Sequence, residues 1–134
     1  MHNFRELKIG QEGMEIAKGI FEMTKSFPEN ERYGLTHRSN RSGSSIPSNI
    51  AEGAYRGCDK EFARFLDISA GSSAEAKIQF SLSFWSKYIS EDAYNSIIEK
   101  INSFQKMTRA FRNKLVIKNE LDLNLTSDIQ RLKS

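Results

Sequence analysis

The sequence predicts an all-α protein, an up-and-down four-helix bundle with long antiparallel helices. Three observations carry that expectation. Apolar residues recur at three- and four-residue steps through most of the 134 positions, the spacing that keeps side chains on one helix face. The interruptions are short, so consecutive helices fold back on one another. Two prolines, nine phenylalanines and few valines favour a helical core over a β-sandwich.

The first helix is expected from about Phe4 to Lys25, with Ile9, Ile16, Ile20 and Met23 as its core stripe. Gly10 and Gly13 weaken its beginning, each by up to ~1 kcal/mol relative to alanine. Ser26-Phe27-Pro28 ends it, and Glu29 and Glu31 suit the positive start of the next helix. Helix two is expected from about Glu31 to Ala54, bent at Pro47. A proline inside a helix removes a backbone donor and clashes with the carbonyl four residues back, at a cost of about 3 kcal/mol. Packing through Ile46 and Ile50, one turn apart, must outweigh that cost. Gly53 to Gly57 forms a turn, and Cys58 or Asp59 caps helix three, which runs to about Tyr88 over ~45 Å.

Helix three is apolar on two sides. Phe62, Phe65, Leu66, Ala70, Ser73 and Phe80 make one stripe; Ala74, Ile78, Leu82, Trp85 and Ile89 make another. Such a helix contacts neighbours on both sides. The run Ser69-Ala70-Gly71-Ser72-Ser73-Ala74 lets another backbone approach closely. Ser90 caps helix four, along which Tyr94, Ile97, Ile101, Phe104, Thr108, Phe111 and Leu115 keep helical spacing. Residues 1–119 therefore form the bundle. In residues 120–134, Leu121, Leu123 and Leu125 alternate with period two and Ser127 can cap a short final turn, which suggests a flexible or partner-docked C-terminal tail.

Phe27-Pro28, Glu31, Tyr33-Gly34-Leu35-Thr36, Arg41, the run from Ser45 to Gly53 (S-I-P-S-N-I-A-E-G), Arg56, Glu61-Phe62 and Phe65-Leu66 occur in this order. Together they resemble the four-helix-bundle proteins encoded in intervening sequences of bacterial large-subunit ribosomal RNA genes. The accessory variability proteins of diversity-generating retroelements are similar to the same family. The likeness spans about residues 4 to 118. It implies a cyclic homo-oligomer, a pentamer around a central channel, and a reverse transcriptase as one possible partner. In that family positions 39, 42 and 43 are usually apolar or alanine; here they are Ser, Ser and Gly. That departure means either very close helix contact or a loosened core.

Composition excludes several chemistries. The lone Cys58 rules out an intramolecular disulfide framework and a thiolate-rich zinc site, and two histidines, His2 at a ragged terminus and His37, give no metal-ligand spacing. No phosphate-cradling glycine loop is present. No cofactor or metal is expected. The polar N-terminus lacks an apolar signal core, and no stretch approaches the ~20 apolar residues that span a bilayer, so a cytoplasmic protein without membrane contact is expected.

Charge is segregated. Net charge is only +3, yet Lys100, Lys106, Arg109, Arg112, Lys114 and Lys118 fall between positions 100 and 118 with no acid among them. Lys106, Arg109, Arg112, Lys114 and Lys118 are the first candidate phosphate-binding group, and Arg56, Lys60 and Arg64 the second. The alternative is a solvated set of cations favoured by the helix C-terminus. On helix two, Arg38, Arg41, Ser45, Asn49, Glu52 and Arg56 share one face, with short hydrogen-bonding groups between arginines. This face reads as a polar network that is buried, or shared between protomers, rather than as a solvated surface, with an intrachain structural role and direct ligand binding as the alternatives. If Arg41 pairs with Glu52, three turns away, a second subunit must supply one of them.

Arg32 and His37 match R-x4-H, the signature of all-helical RNA-cleaving domains of the HEPN type. There an arginine steadies phosphate while a histidine moves protons. The competing reading is an exposed histidine. The function expected is therefore a non-enzymatic, homo-oligomeric bundle that binds RNA, DNA or a nucleic-acid enzyme through basic surfaces. An Arg32/His37 ribonuclease and a protein-only scaffold are the alternatives.

Overall fold

A computed structural model describes residues 2–133; residues 1 and 134, the outer limits of the expected bundle and tail, lie outside the described residues. Helix α1 spans Lys8–Thr24, α2 Leu35–Tyr55, α3 Asp59–Trp85 and α4 Glu91–Lys133, with 3-10 turns at Phe4–Glu6 and Glu29–Glu31. No strand occurs among the described residues. Each helix packs on its two neighbours in the cyclic order α1, α2, α3, α4, as an up-and-down bundle requires. Ile16, Ile20, Ile46, Ile50, Phe62, Leu66, Phe80, Ile101 and Phe104 fill the centre.

The stripes expected on α1 and α4 point inward: Ile9, Ile16, Ile20, Ile97, Ile101, Phe104, Thr108 and Leu115 are buried, and Met23, Tyr94 and Phe111 pack at the edge. The first stripe of α3 is buried except Ala70, which is half-buried; on the second, Ala74, Ile78, Leu82 and Trp85 are exposed. The α4 cap is as expected, since Ala93 N–H donates to Ser90 Oγ at 3.1 Å.

Several expected boundaries are corrected. The first helix begins at Lys8 because Phe4–Glu6 forms a separate turn laid against Gly10, where an added Cβ would lie 2.6 Å from the Phe4 carbonyl oxygen. The second begins at Leu35, not Glu31, since Glu29–Glu31 closes its own 3-10 turn. Glu31 nevertheless serves the helix start: its Oε1 accepts from Leu35 N–H at 3.3 Å. The third ends at Trp85, before Lys87 turns the chain at φ 64°. Gly57, at φ 74°, makes the sharp turn between α2 and α3. Cys58 stands at the start of α3 but its side chain makes no capping bond. Residues 120–133 continue α4 as helix instead of forming an isolated final turn; Leu121 and Leu125 fit period four as well as period two.

Ser39, Ser42 and Gly43 mark close helix contact. All three are buried, and a Cβ added at Gly43 would lie 3.1 Å from Ile20. Gly13 on α1 meets Ile50, Ile46 and Pro47 in the same way. The small residues thus bring α1 and α2 together where Pro47 sits. The N-terminus is not ragged at His2. Its N–H donates to the Ala54 carbonyl at 3.1 Å, its ring lies 5.0 Å from Phe62, and its Nε2 is 3.4 Å from Asp59 Oδ1.

Candidate nucleic-acid interface

Lys106, Arg109 and Arg112 advance in three-residue steps along α4. Each step rises about 4.5 Å and turns the side chain by about 60° around the helix. The Lys106 and Arg109 side chains are exposed and make no hydrogen bond or ion pair among the described residues, while Arg112 reaches α3, where Nε and Nη2 bond the two carboxylate oxygens of Asp67 at 3.1 and 3.3 Å. Lys114 is exposed and unpaired among the described residues on the opposite flank, bordering a groove between α1 and α4 together with Lys8, Met107 and Phe111. Lys118 lies 3.6 Å from Asp59 Oδ2, so one carboxylate receives both His2 and Lys118. On the α3 flank, Arg109, Arg112, Asp67, Gly71 and Gln105 border a cleft of about 360 Å³. Thr108 lines it, and its buried Oγ1 has no hydrogen-bond partner.

The second basic group is mostly engaged. Arg56 donates to Glu52 Oε1 through Nε at 3.1 Å and Nη2 at 2.8 Å. Arg64 Nε donates to Glu61 at 2.8 Å, a bond that lowers the Glu61 pKa below its ordinary value. Both guanidiniums stand over the Phe65 ring, at 5.0 and 4.6 Å from its centroid. Lys60 alone of this group is exposed without a hydrogen bond or ion pair.

The polar face of α2 divides into three parts. Arg38 and Arg41 are exposed and their side chains have no partner among the described residues. Ser45 and Asn49 form a network inside the protomer: Asn49 Nδ2 donates to the Ser45 carbonyl at 2.8 Å and to Ser45 Oγ at 2.9 Å, and Ser45 Oγ meets Ser72 Oγ of α3 at 2.7 Å. Glu52 is engaged by Arg56 of its own helix, one turn away.

The network surrounds Pro47. Lacking an N–H, Pro47 leaves the Gly43 carbonyl without its helical donor, and its ring disturbs the adjoining turn. Side chains then donate to the three following carbonyls. Ser48 Oγ bonds Ser44 O at 2.7 Å, Asn49 Nδ2 bonds Ser45 O, and Ser69 Oγ, from α3, bonds Ile46 O at 2.8 Å. Ser69 and Ser72 were read only as small residues. Their carbonyl and hydroxyl partners lie 23 and 27 positions earlier, and no local pattern signals such a pairing.

Arg32 and His37 share no hydrogen bond or ion pair among the described residues. Arg32 lies on the turn before α2, 3.6 Å from Glu29 and 5.4 Å from the Tyr33 ring centroid, and His37 is exposed, its side chain without a partner among the described residues. No group of three or more His, Cys, Asp and Glu among the described residues could hold a metal ion, and no described helix is long and apolar enough to cross a membrane.

The model of a family described as 23S rRNA-intervening sequence protein matches residues 5–110. A crystal structure of a protein from Bacteroides thetaiotaomicron, described as of unknown function and of the S23 ribosomal protein family, is similar in fold. The two share 23% identity, with 78% of this chain and 97% of that chain covered and a TM-score of 0.72. Among curated proteins none matches the chain.

Proposed function

The chain belongs to the 23S rRNA-intervening sequence protein family, and on that premise we propose that it is a non-enzymatic, homo-oligomeric bundle that binds nucleic acid through the basic ridge of α4. The observation that carries this reading is the uncompensated charge of Lys106, Arg109 and Lys114. They are exposed, without ion pairs, on a stretch from 100 to 118 that contains no acid. Such a ridge attracts phosphates, whereas a solvated helix face normally mixes both signs. Arg112 and Lys118 flank it and add contacts at the cost of loosening their ion pairs with Asp67 and Asp59, which are weak at the surface, and Lys60, without an ion pair among the described residues, adds another. The family's description ties it to 23S rRNA intervening sequences, so structured RNA is the first ligand to test; DNA, or an enzyme such as a reverse transcriptase, would use the same ridge.

The homo-oligomeric part of the proposal is supported by α3. Ile78, Leu82 and Trp85 are 64%, 47% and 81% exposed on one face of a helix whose other face is core. A stripe of large apolar groups on a protein surface marks an interface. Cyclic closure, as a pentamer in the family resemblance, would repeat the basic ridge around a ring and turn weak contacts into avidity. Arg38 and Arg41 are the members of the α2 polar face left free to bridge protomers, since Asn49 and Glu52 are engaged in their own chain.

The test is binding of the full chain to structured RNA over a range of salt. Each phosphate neutralised should contribute roughly −0.7 to −0.9 to the log-log salt slope, and Lys106→Glu with Arg109→Glu should abolish binding at moderate salt. Absent binding, or binding indifferent to salt and to those substitutions, would leave only a scaffold. RNA cleavage lost in His37→Ala would instead revive the ribonuclease.

A further inference from the structure

We propose that the cleft between α3 and α4 receives one unpaired nucleotide of a bound RNA, with its base between the helices and its phosphate on Arg109. The proposal rests on the RNA reading of the α4 ridge and adds to it a place that holds a base. Arg109 and Arg112 belong to both, since they stand on the ridge and border the cleft, whose volume is about 360 Å³. Sites for small molecules begin at about 300 Å³. A paired base cannot enter, because the duplex already occupies its faces and its pairing edge, whereas an unpaired one can be splayed out.

Ala70, Gly71 and Ala74 line the α3 side of the cleft. Gly71 differs from the glycines that bring helices together. A Cβ added at Gly13, Gly43 or Gly53 would lie 3.2, 3.1 or 2.7 Å from a packed side chain, whereas at Gly71 it would meet nothing within 4 Å. Neither close packing nor a turn calls for glycine there, in mid-helix, where it is a weak helix former. Its missing side chain leaves room beside α4. With the Ala70 and Ala74 methyls it makes a wall without projections, on which a planar ring can lie.

The polar groups around that wall suit a base and its phosphate. Two bonds to the Asp67 carboxylate hold the Arg112 guanidinium and fix its plane. Guanidinium planes stack on unpaired RNA bases. The same pairing offsets the Asp67 charge, so Arg109, without an ion pair among the described residues, leaves the mouth of the cleft net positive. Gln105 is oriented by Ser73 Oγ, which accepts from Nε2 at 2.9 Å, and by Lys77 Nζ, which donates to Oε1 at 3.3 Å. One amide N–H and one lone pair remain for the edge of a base. Thr108 also lines the cleft, and its Oγ1 is buried without a hydrogen-bond partner. An unmet hydroxyl beside a cavity is completed by whatever occupies that cavity.

Titration of the full chain with two RNA hairpins, one fully paired and one carrying a single bulged nucleotide, tests the cleft. The bulged hairpin should bind about tenfold more tightly, within what one stacked base contributes. Gly71→Leu places a side chain in open space, where it displaces no packed group, and the two affinities should then become equal. Ala74→Leu, at an exposed position on the same wall, should have the same effect. The two hairpins are compared within each variant, so a change in overall affinity or assembly does not imitate the result. With a fluorescent adenine analogue as the bulged base, the parent chain should shield its emission from acrylamide quenching, and Gly71→Leu should not. Equal affinities for the two hairpins in the parent, or a preference that survives both substitutions, would overturn the cleft and leave the ridge standing. Binding to neither hairpin would overturn the ridge and the cleft with it.

Discussion

Glu31 ties three parts of the chain through a single carboxylate. Its Oε1 accepts from Leu35 N–H at the start of α2, and its Oε2 accepts from the Tyr88 hydroxyl at 2.9 Å, on the turn before α4. The bond to Glu31 is the main reason the Tyr88 pKa is raised above its ordinary value, with desolvation and the carboxylate's charge acting in the same direction. The sign for stability follows from proton counting. Between the unfolded phenol pKa, about 10, and the higher folded value, the folded chain holds the proton more tightly than the unfolded chain does. The bond's stabilising effect is therefore complete below about pH 10 and is lost as pH rises through the folded pKa. Glu31→Gln removes the anionic acceptor, so the Tyr88 phenol should ionise at lower pH in that variant. An ultraviolet titration of phenolate absorbance, compared with Tyr88→Phe to isolate this residue, reads the shift. Superimposable curves for the parent and Glu31→Gln would show that the bond does not form.

Among the elements, α2 departs most from a standard helix, and its departures explain which parts of the fold the sequence could reveal. Core stripes on α1, α3 and α4 were legible because periodicity is a local property, and the polar face of α2 was legible as a face for the same reason. Its partners were not. Ser69 and Ser72 reach α2 from α3, and the register between those two helices is set by packing such as that of Gly53 against Phe62 and Phe65, not by any residue neighbouring the serines. Helix ends were missed where a single backbone angle decides, as at Lys87, and the stretch after Asn119 was read as a tail with a short final turn because Leu121, Leu123 and Leu125 satisfy two periods at once. The carbonyls beside Pro47 give this element its own prediction. Ser69 Oγ is buried and donates to Ile46 O, whereas the exposed Ser48 donates to Ser44 O where water can replace it. Ser69→Ala should lower unfolding free energy by about 1 kcal/mol, the net worth of one buried hydrogen bond. Ser48→Ala should change it by no more than about 0.5 kcal/mol. Denaturant midpoints measure both, and equal effects would mean that the buried bond from α3 contributes no more than the exposed one within α2.

At the scale of the molecule, two surfaces are unsatisfied in different ways, and the proposed function links them. The α4 ridge carries cations without counter-charges, and the outer face of α3 carries Ile78, Leu82 and Trp85 without cover. Each is weak alone. A few phosphate contacts per protomer are easily screened at physiological salt, where the Debye length is about 8 Å. Covering three large apolar side chains contributes several kcal/mol per interface at roughly 25 cal/mol per Å², most of it opposing the entropy of association. Closed together in a ring they reinforce each other, because assembly multiplies phosphate contacts and a long anion bridges protomers. Ile78→Asp with Leu82→Asp tests the link. Both positions are exposed in the protomer, so the bundle should stay folded, with helical signal unchanged and stability within about 0.5 kcal/mol per site. Copy number should fall, Trp85 emission should shift to that of a fully hydrated indole, and RNA affinity should drop more than tenfold although no cation has been altered. If copy number falls while RNA affinity holds, the ridge binds as a single unit and avidity has no part in it.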